Sequence, residues 1–189
     1  MTLAKVFLYP VFLCFISCIN NPIDNGLHID ESTFNEKQSS WDSADNDSYS
    51  FNYSHINKYL PSDNYIVAVD VKDNQVVNYT LLEFSGINEA SCTENQWNEY
   101  VESFNSSIED SNTFLIDNIF SNVKDIIEEC KDNYSKYPNR YSANIDFDFL
   151  EEVPYLSKCK IVSKFTDKEL DGGYTDLLIE IKDFKKSDD

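Results

Sequence analysis

Apolar residues recur along this chain in two rhythms, every second position and every third to fourth, and the changes of rhythm divide it into elements. Phe34, Gln38 and Trp41 share one side of a helix predicted over residues 32–44, with Ser32 placed to cap its start. After a polar break at residues 43–48, Tyr49, Phe51 and Tyr53 alternate with Ser50, Asn52 and Ser54 in the period of a half-buried strand. Residues 65–72 and 75–84 are both strand-like, and Asp73-Asn74 between them suits a two-residue turn with positive backbone angles, which makes a hairpin. Thr93-Glu94-Asn95-Gln96 is a capping box for a helix with Trp97, Tyr100, Val101, Phe104 and Ile108 at helical spacing. A second helix over residues 116–132 turns Ile116, Ile119, Phe120, Val123, Ile127 and Cys130 to its buried side.

Beyond Pro138 the period returns to two. Ile145, Phe147 and Phe149 alternate with Asn144, Asp146 and Asp148, and residues 155–165 and 175–184 complete a second strand group. The order is one helix, three strands, two helices, three strands. Strands in runs predict an α+β domain: an antiparallel sheet of about six strands in two three-strand groups, with helices packed on one face.

The first 17 residues have a different pattern. Lys5 precedes an apolar run of roughly eleven residues and then Ser17 and Cys18, the layout of a cleavable signal peptide and too short for a spanning helix. Phe15-Ile16-Ser17-Cys18 resembles a lipobox, which makes Cys18 the expected lipidation site, carrying an acyl chain such as palmitate. Residues 18–30 are polar and read as a flexible tether. The expected organisation is a signal peptide over 1–17, a lipidated tether over 18–30 and one domain over 31–189, anchored to a bacterial membrane in the cell envelope, facing the periplasm or the cell surface.

Charge narrows the partners. The formal net charge is -19, and the 14% aromatic content supplies the apolar mass that lets so acidic a chain fold. Losing Lys5 with the leader takes the mature chain to roughly -20, one positive charge less. Nucleic acid is excluded, since phosphate binding needs clustered Lys and Arg, and here Arg140 is the single Arg. Anionic lipid headgroups are excluded by the same argument, which leaves the lipid anchor as the contact with the membrane.

Trp41, Tyr49-Ser50-Phe51, the run Val69-Asp-Val-Lys-Asp-Asn-Gln-Val-Val77, Leu115-Ile-Asp-Asn-Ile-Phe120, Phe147-Asp148 and Val153-Pro154 together are similar to domain-of-unknown-function family 6174. Its members are mostly small bacterial lipoproteins. The resemblance spans residues 40–184, with 88–112 placed as an insertion. It implies fold and location and brings no catalytic residues.

Candidate chemistry is sparse. A nucleophile needs a His within reach, and outside the leader there are two, His28 in the tether and His55 at the end of the first strand. Asp146 and Asp148 share a strand face about 7 Å apart and could act as acid and base with Glu152, although such a pair is also what a solvated strand face looks like. Asp167, Glu169 and Asp171 beside Gly172-Gly173 could hold calcium but lack EF-hand spacing, and a polar hairpin loop accounts for them. Cys92, Cys130 and Cys159 show no CxxC spacing and no His cluster, so no zinc site is expected; Cys130 and Cys159 fall on apolar faces and Cys92 in a loop, and at most one disulfide could join them.

The expectation is a non-enzymatic binding module without cofactor or metal, taking a protein or peptide partner; an exposed aromatic face from Tyr53, Tyr65 and Tyr79 would favour it, and a fully buried one would count against it. One alternative is a carboxylate-dependent or metal-assisted hydrolase. The other is a secreted eukaryotic glycoprotein, suggested by N-x-[ST] triplets at Asn46, Asn52, Asn78, Asn105 and Asn133.

Overall fold

A computed structural model describes residues 26–150, 153–165 and 174–187. The elements are β1 (Leu27–Ile29), α1 (Glu31–Asp42), β2 (Tyr49–Asn57), β3 (Tyr65–Lys72), β4 (Gln75–Phe84), α2 (Glu94–Ser107), α3 (Ile116–Lys136), β5 (Tyr141–Phe149), β6 (Leu156–Phe165) and β7 (Thr175–Lys186). The strands form one seven-stranded sheet in the order β1-β5-β6-β7-β2-β3-β4. The α+β class holds, and the two three-strand groups are the antiparallel meanders β2-β3-β4 and β5-β6-β7, fused where β2 pairs with β7.

Two details differ from the sequence pattern. The sheet has seven strands, because Leu27–Ile29, read as tether, pairs with β5, and it does so in parallel, so the sheet is mixed. Three residues give only a short periodic signal, and the strand they pair with lies more than 100 residues further along the chain. The helix cap moves as well: the Asp30 carboxylate accepts from the Thr33 backbone N–H at 3.1 Å and from its hydroxyl at 2.7 Å, so α1 starts at Glu31 and Ser32 is inside it. Residues 1–25, with the expected signal peptide and Cys18, lie outside the described residues. Among the described residues no helix is long and apolar enough to cross a membrane.

One face of the sheet is the core. Tyr49, Phe51 and Tyr53 of β2, Val67, Val69 and Val71 of β3, and Ile161, Ile179 and Ile181 of β6 and β7 are buried on it. Asp73 and Asn74 both have positive φ, 51° and 57°, as the hairpin turn requires. The Thr93–Gln96 capping box forms, and α3 buries all six residues of its stripe. α3 lies over β1, β5 and β6, and α2 over β4.

Along β7 the alternation that buries Ile179 and Ile181 would next bury Asp183. A bulge opposite Phe51 prevents this: Asp183 takes φ 55°, turns outward to accept from Asn52 Nδ2 at 2.7 Å, and lets Phe184 turn inward. Phe184 then stacks on Tyr155 at 4.5 Å and on Tyr49 at 5.6 Å, with Trp41 edge-on at 6.1 Å.

This cluster also starts α3. Leu115, at its N-cap, has no side chain that can accept a hydrogen bond, and the Ile116 N–H instead donates to the Tyr49 hydroxyl at 3.3 Å. Trp41 Nε1 donates to Asp117 Oδ1 at 3.0 Å. Burial pushes the Tyr49 hydroxyl up to about 12, so it stays neutral in this role. Tyr49→Phe, which strands a buried N–H while keeping the ring, is expected to cost about 1–2 kcal/mol. A urea titration checks this: the midpoint should fall at unchanged slope, and an unmoved midpoint would remove Tyr49 as the cap.

Candidate functional site

β1 follows β5 only from Ala143 to Ile145. At Asp30 the chain leaves the sheet, because that residue's carboxylate is committed to capping α1 and its backbone carbonyl accepts from the Phe34 N–H at 3.1 Å. Among the described residues no strand pairs with β5 on this side beyond Ile145, and β5 runs on as the sheet's edge to Phe149. The result is a groove of about 750 Å³, with His28, Asp30 and Thr33 on one wall and Asp146, Phe147 and Asp148 on the other.

The pairing His28↔Asn144 places His28, Asn144, Asp146 and Asp148 on the open face of the sheet, away from the helices. Asn144 Nδ2 donates to Asp146 Oδ2 at 2.8 Å, which steadies that carboxylate. Hydrogen bonds from the Thr33 side chain and then its backbone hold the Asp30 carboxyl below the usual carboxylate range. Phe147 points the other way, with its ring 5.0 Å from Phe34 under α1.

The sequence singled out Asp146 and Asp148 as a pair on one strand face, and the structure keeps them so. It adds Asp30 and His28, which the sequence placed in a tether without a role. The one signal for them was short: Leu27 and Ile29 flanking His28 in period two, followed by Asp30 three residues before Thr33. Glu152 and the acidic loop with Asp167, Glu169, Asp171, Gly172 and Gly173 lie outside the described residues.

The other candidates fall elsewhere. Tyr53, Tyr65 and Tyr79 face the helices, with rings 5.1–6.0 Å from Phe104 or Phe114, so this aromatic face is core and not a contact surface. The sequence leaves its exposure open because the covering pieces, α2 and the 3-10 turn Ser111–Phe114, come later in the chain; covered as it is, this face counts against a partner site there. All three described cysteines are free. Burial pushes the Cys159 thiol up to about 12 and raises Cys130, which accepts the Tyr141 hydroxyl at 3.2 Å. Among the described residues no three His, Cys, Asp or Glu side chains converge as a metal ion requires.

No protein-family model, curated protein or solved structure matches this chain.

His55 stacks on Tyr65 with ring centroids 5.2 Å apart and planes 4° from parallel. Three strands, β5, β6 and β7, lie between β1 and β2, so four interstrand spacings put His55 roughly 19 Å across the sheet from His28. Burial lowers its pKa from 6.5, against a smaller upward pull from Asp63. The folded state therefore binds fewer protons than the unfolded one, so the stability His55 contributes is complete above about pH 6.5 and declines as pH falls below it. Urea midpoints at about pH 7.5 and about pH 5.5 should show a larger acid loss for the parent than for His55→Gln. Equal losses would mean that His55 does not couple to folding.

Proposed function

We propose that this chain is a cell-envelope lipoprotein, held to a bacterial membrane by an acyl chain on Cys18, whose α+β domain binds a protein or peptide partner and performs no chemistry of its own. The observation that carries the binding reading is the open groove beside β5, where backbone and carboxylates face a partner-sized space. Gly26, at the start of the sheet edge, is eight positions beyond Cys18, a reach of at most about 28 Å, so a domain anchored there would keep this groove near the membrane surface.

A second reading, a carboxylate-dependent hydrolase, is favoured by the gathering of Asp30, Asp146 and Asp148 in that groove. Binding fits better, because Asp146 and Asp148 are exposed neighbours on one strand and His28, the one imidazole nearby, is itself exposed at the rim.

Two experiments test the proposal. Metabolic labelling of source cells with a clickable fatty acid should mark the native chain and not Cys18→Ala; label on both would end the lipid-anchor reading. A photocrosslinking amino acid in place of His28, at the groove, should give discrete adducts in intact cells, while one in place of Glu99, exposed on α2, should not. Equal adduct patterns from the two positions would count against the groove as the binding site.

A further inference from the structure

The sheet's two edges differ in what they offer another chain. β4 is long, uncharged apart from Glu83, and interrupted by two bulges, between Ile66/Val67 and between Asp70/Val71 of its β3 partner. These leave Val77 and Leu82 outside the regular pairing and break up the edge. β5 beyond Ile145 faces the groove and is flanked by carboxylates.

The backbone direction there is set by the pairing behind it. The Ala143 N–H donates outward, to the Gly26 carbonyl at 3.0 Å, so the alternation of a strand turns the N–H and C=O of Phe147 to the same side, beyond the last paired residue of β1. The chain that could have continued β1 to meet them is tied into α1 by Asp30. An outward donor and acceptor in a groove at a strand edge form a template for one more strand.

We propose that the groove takes an extended segment of a partner polypeptide as a strand added beside β5, and that this segment carries Lys or Arg at alternate positions. The proposal rests on the binding reading above and names its mode and partner class. Residues 146–149 offer about 13 Å of edge, enough for some four residues. In an added strand every second side chain faces the open side of the sheet, where it meets Asp146 and Asp148, and the others face Thr33 and Asp30. Opposite charges beside one another across strands are stabilising, and like charges are not. Lys160 and Lys158 lie opposite Asp146 and Asp148 on the inner side, but Lys158 is shared with Glu180, and neither lines the groove. A second copy of this chain is the wrong occupant, since its other edge, β4, brings Glu83 as its charged residue and each copy carries a net charge of -19.

The test uses the full chain in detergent micelles and three fluorescent peptides: one alternating Lys with Val, one alternating Glu with Val, and one with the Lys residues of the first placed consecutively. The alternating Lys peptide should bind, with affinity reduced about tenfold in the Asp146→Asn, Asp148→Asn double variant, and the Glu peptide should not bind. Hydrogen exchange at the Phe147 amide should slow about tenfold or more on binding, while the Asp146 and Asp148 amides, which point to β6, should hold their rates. Equal binding of both Lys peptides, or a Phe147 amide unchanged at saturation, overturns strand addition. Unreduced binding to the double variant overturns the groove as its place. Both substitutions are at exposed positions, and an unchanged urea midpoint shows that the variant is folded. If crosslinks from position 28 persist but no peptide binds, this mode fails and the binding reading stands; if neither occurs, both fall.

Discussion

Everything else in this domain depends on the pairing of β2 with β7. Each three-strand meander is local, since its strands follow one another in the chain, but neither has a complete core alone. The seam between them joins residues 49–57 to residues 177–186 and converts two small sheets into one surface that three helices can cover. Its bulge turns Phe184 inward and so assembles Tyr49, Trp41 and Tyr155 around that ring. Tyr49 and Trp41 then reach the first turn of α3, through Ile116 and Asp117. α3 lies over β5 and β1, and α1, which carries Trp41 in its last turn, begins at the Asp30 cap that stops β1. The groove is thus the far end of a sequence of contacts that starts at the seam.

Much of this architecture was legible in the sequence wherever one element explains itself. The Asp73-Asn74 turn, the Thr93–Gln96 box and the α3 stripe each contain their own physical reason, and each stands where the pattern put it. Elements that depend on distant partners were not legible. β1 exists because Ala143, Asn144 and Ile145 are there to pair with it, and Tyr53, Tyr65 and Tyr79 are core because Phe104 and Phe114 arrive above them. The bulge at Asp183 is a third case. An acid at an inward position of an alternating strand is the local sign that the alternation breaks, but the direction of the correction is set by Asn52 and Phe51 across the seam.

The candidate site was half legible for the same reason. Asp146 and Asp148 could be placed on one face by period alone, whereas a solvated strand face and a binding wall have the same pattern. What separates them is whether the strand's edge is closed, and that is decided by where β1 ends. Asp30 therefore has two effects from one carboxylate: it nucleates α1, and by drawing the chain away it leaves β5 open.

The distribution of charge sharpens this point. Between Lys72 and Lys124 the chain has nine acids and no basic residue, and that stretch includes all of α2. Six of its fifteen basic residues are on β6 and β7, at Lys158, Lys160, Lys164, Lys182, Lys185 and Lys186. On the open face these lysines stand among acids, with Lys158 opposite Asp148 and Glu180, and Lys182 2.7 Å from Glu180. The middle of that face is therefore nearly self-compensated, and the helix layer is not. At physiological salt a surface charge is felt over about 8 Å, so the molecule's large negative charge draws cations toward it but cannot by itself choose a place. α2 carries Glu94, Glu99 and Glu102 with no basic residue, but its backbone is satisfied within the helix, so it offers a cation attraction without geometry. The edge of β5 joins carboxylates to outward backbone groups, and only that combination distinguishes an extended basic segment from any other cation.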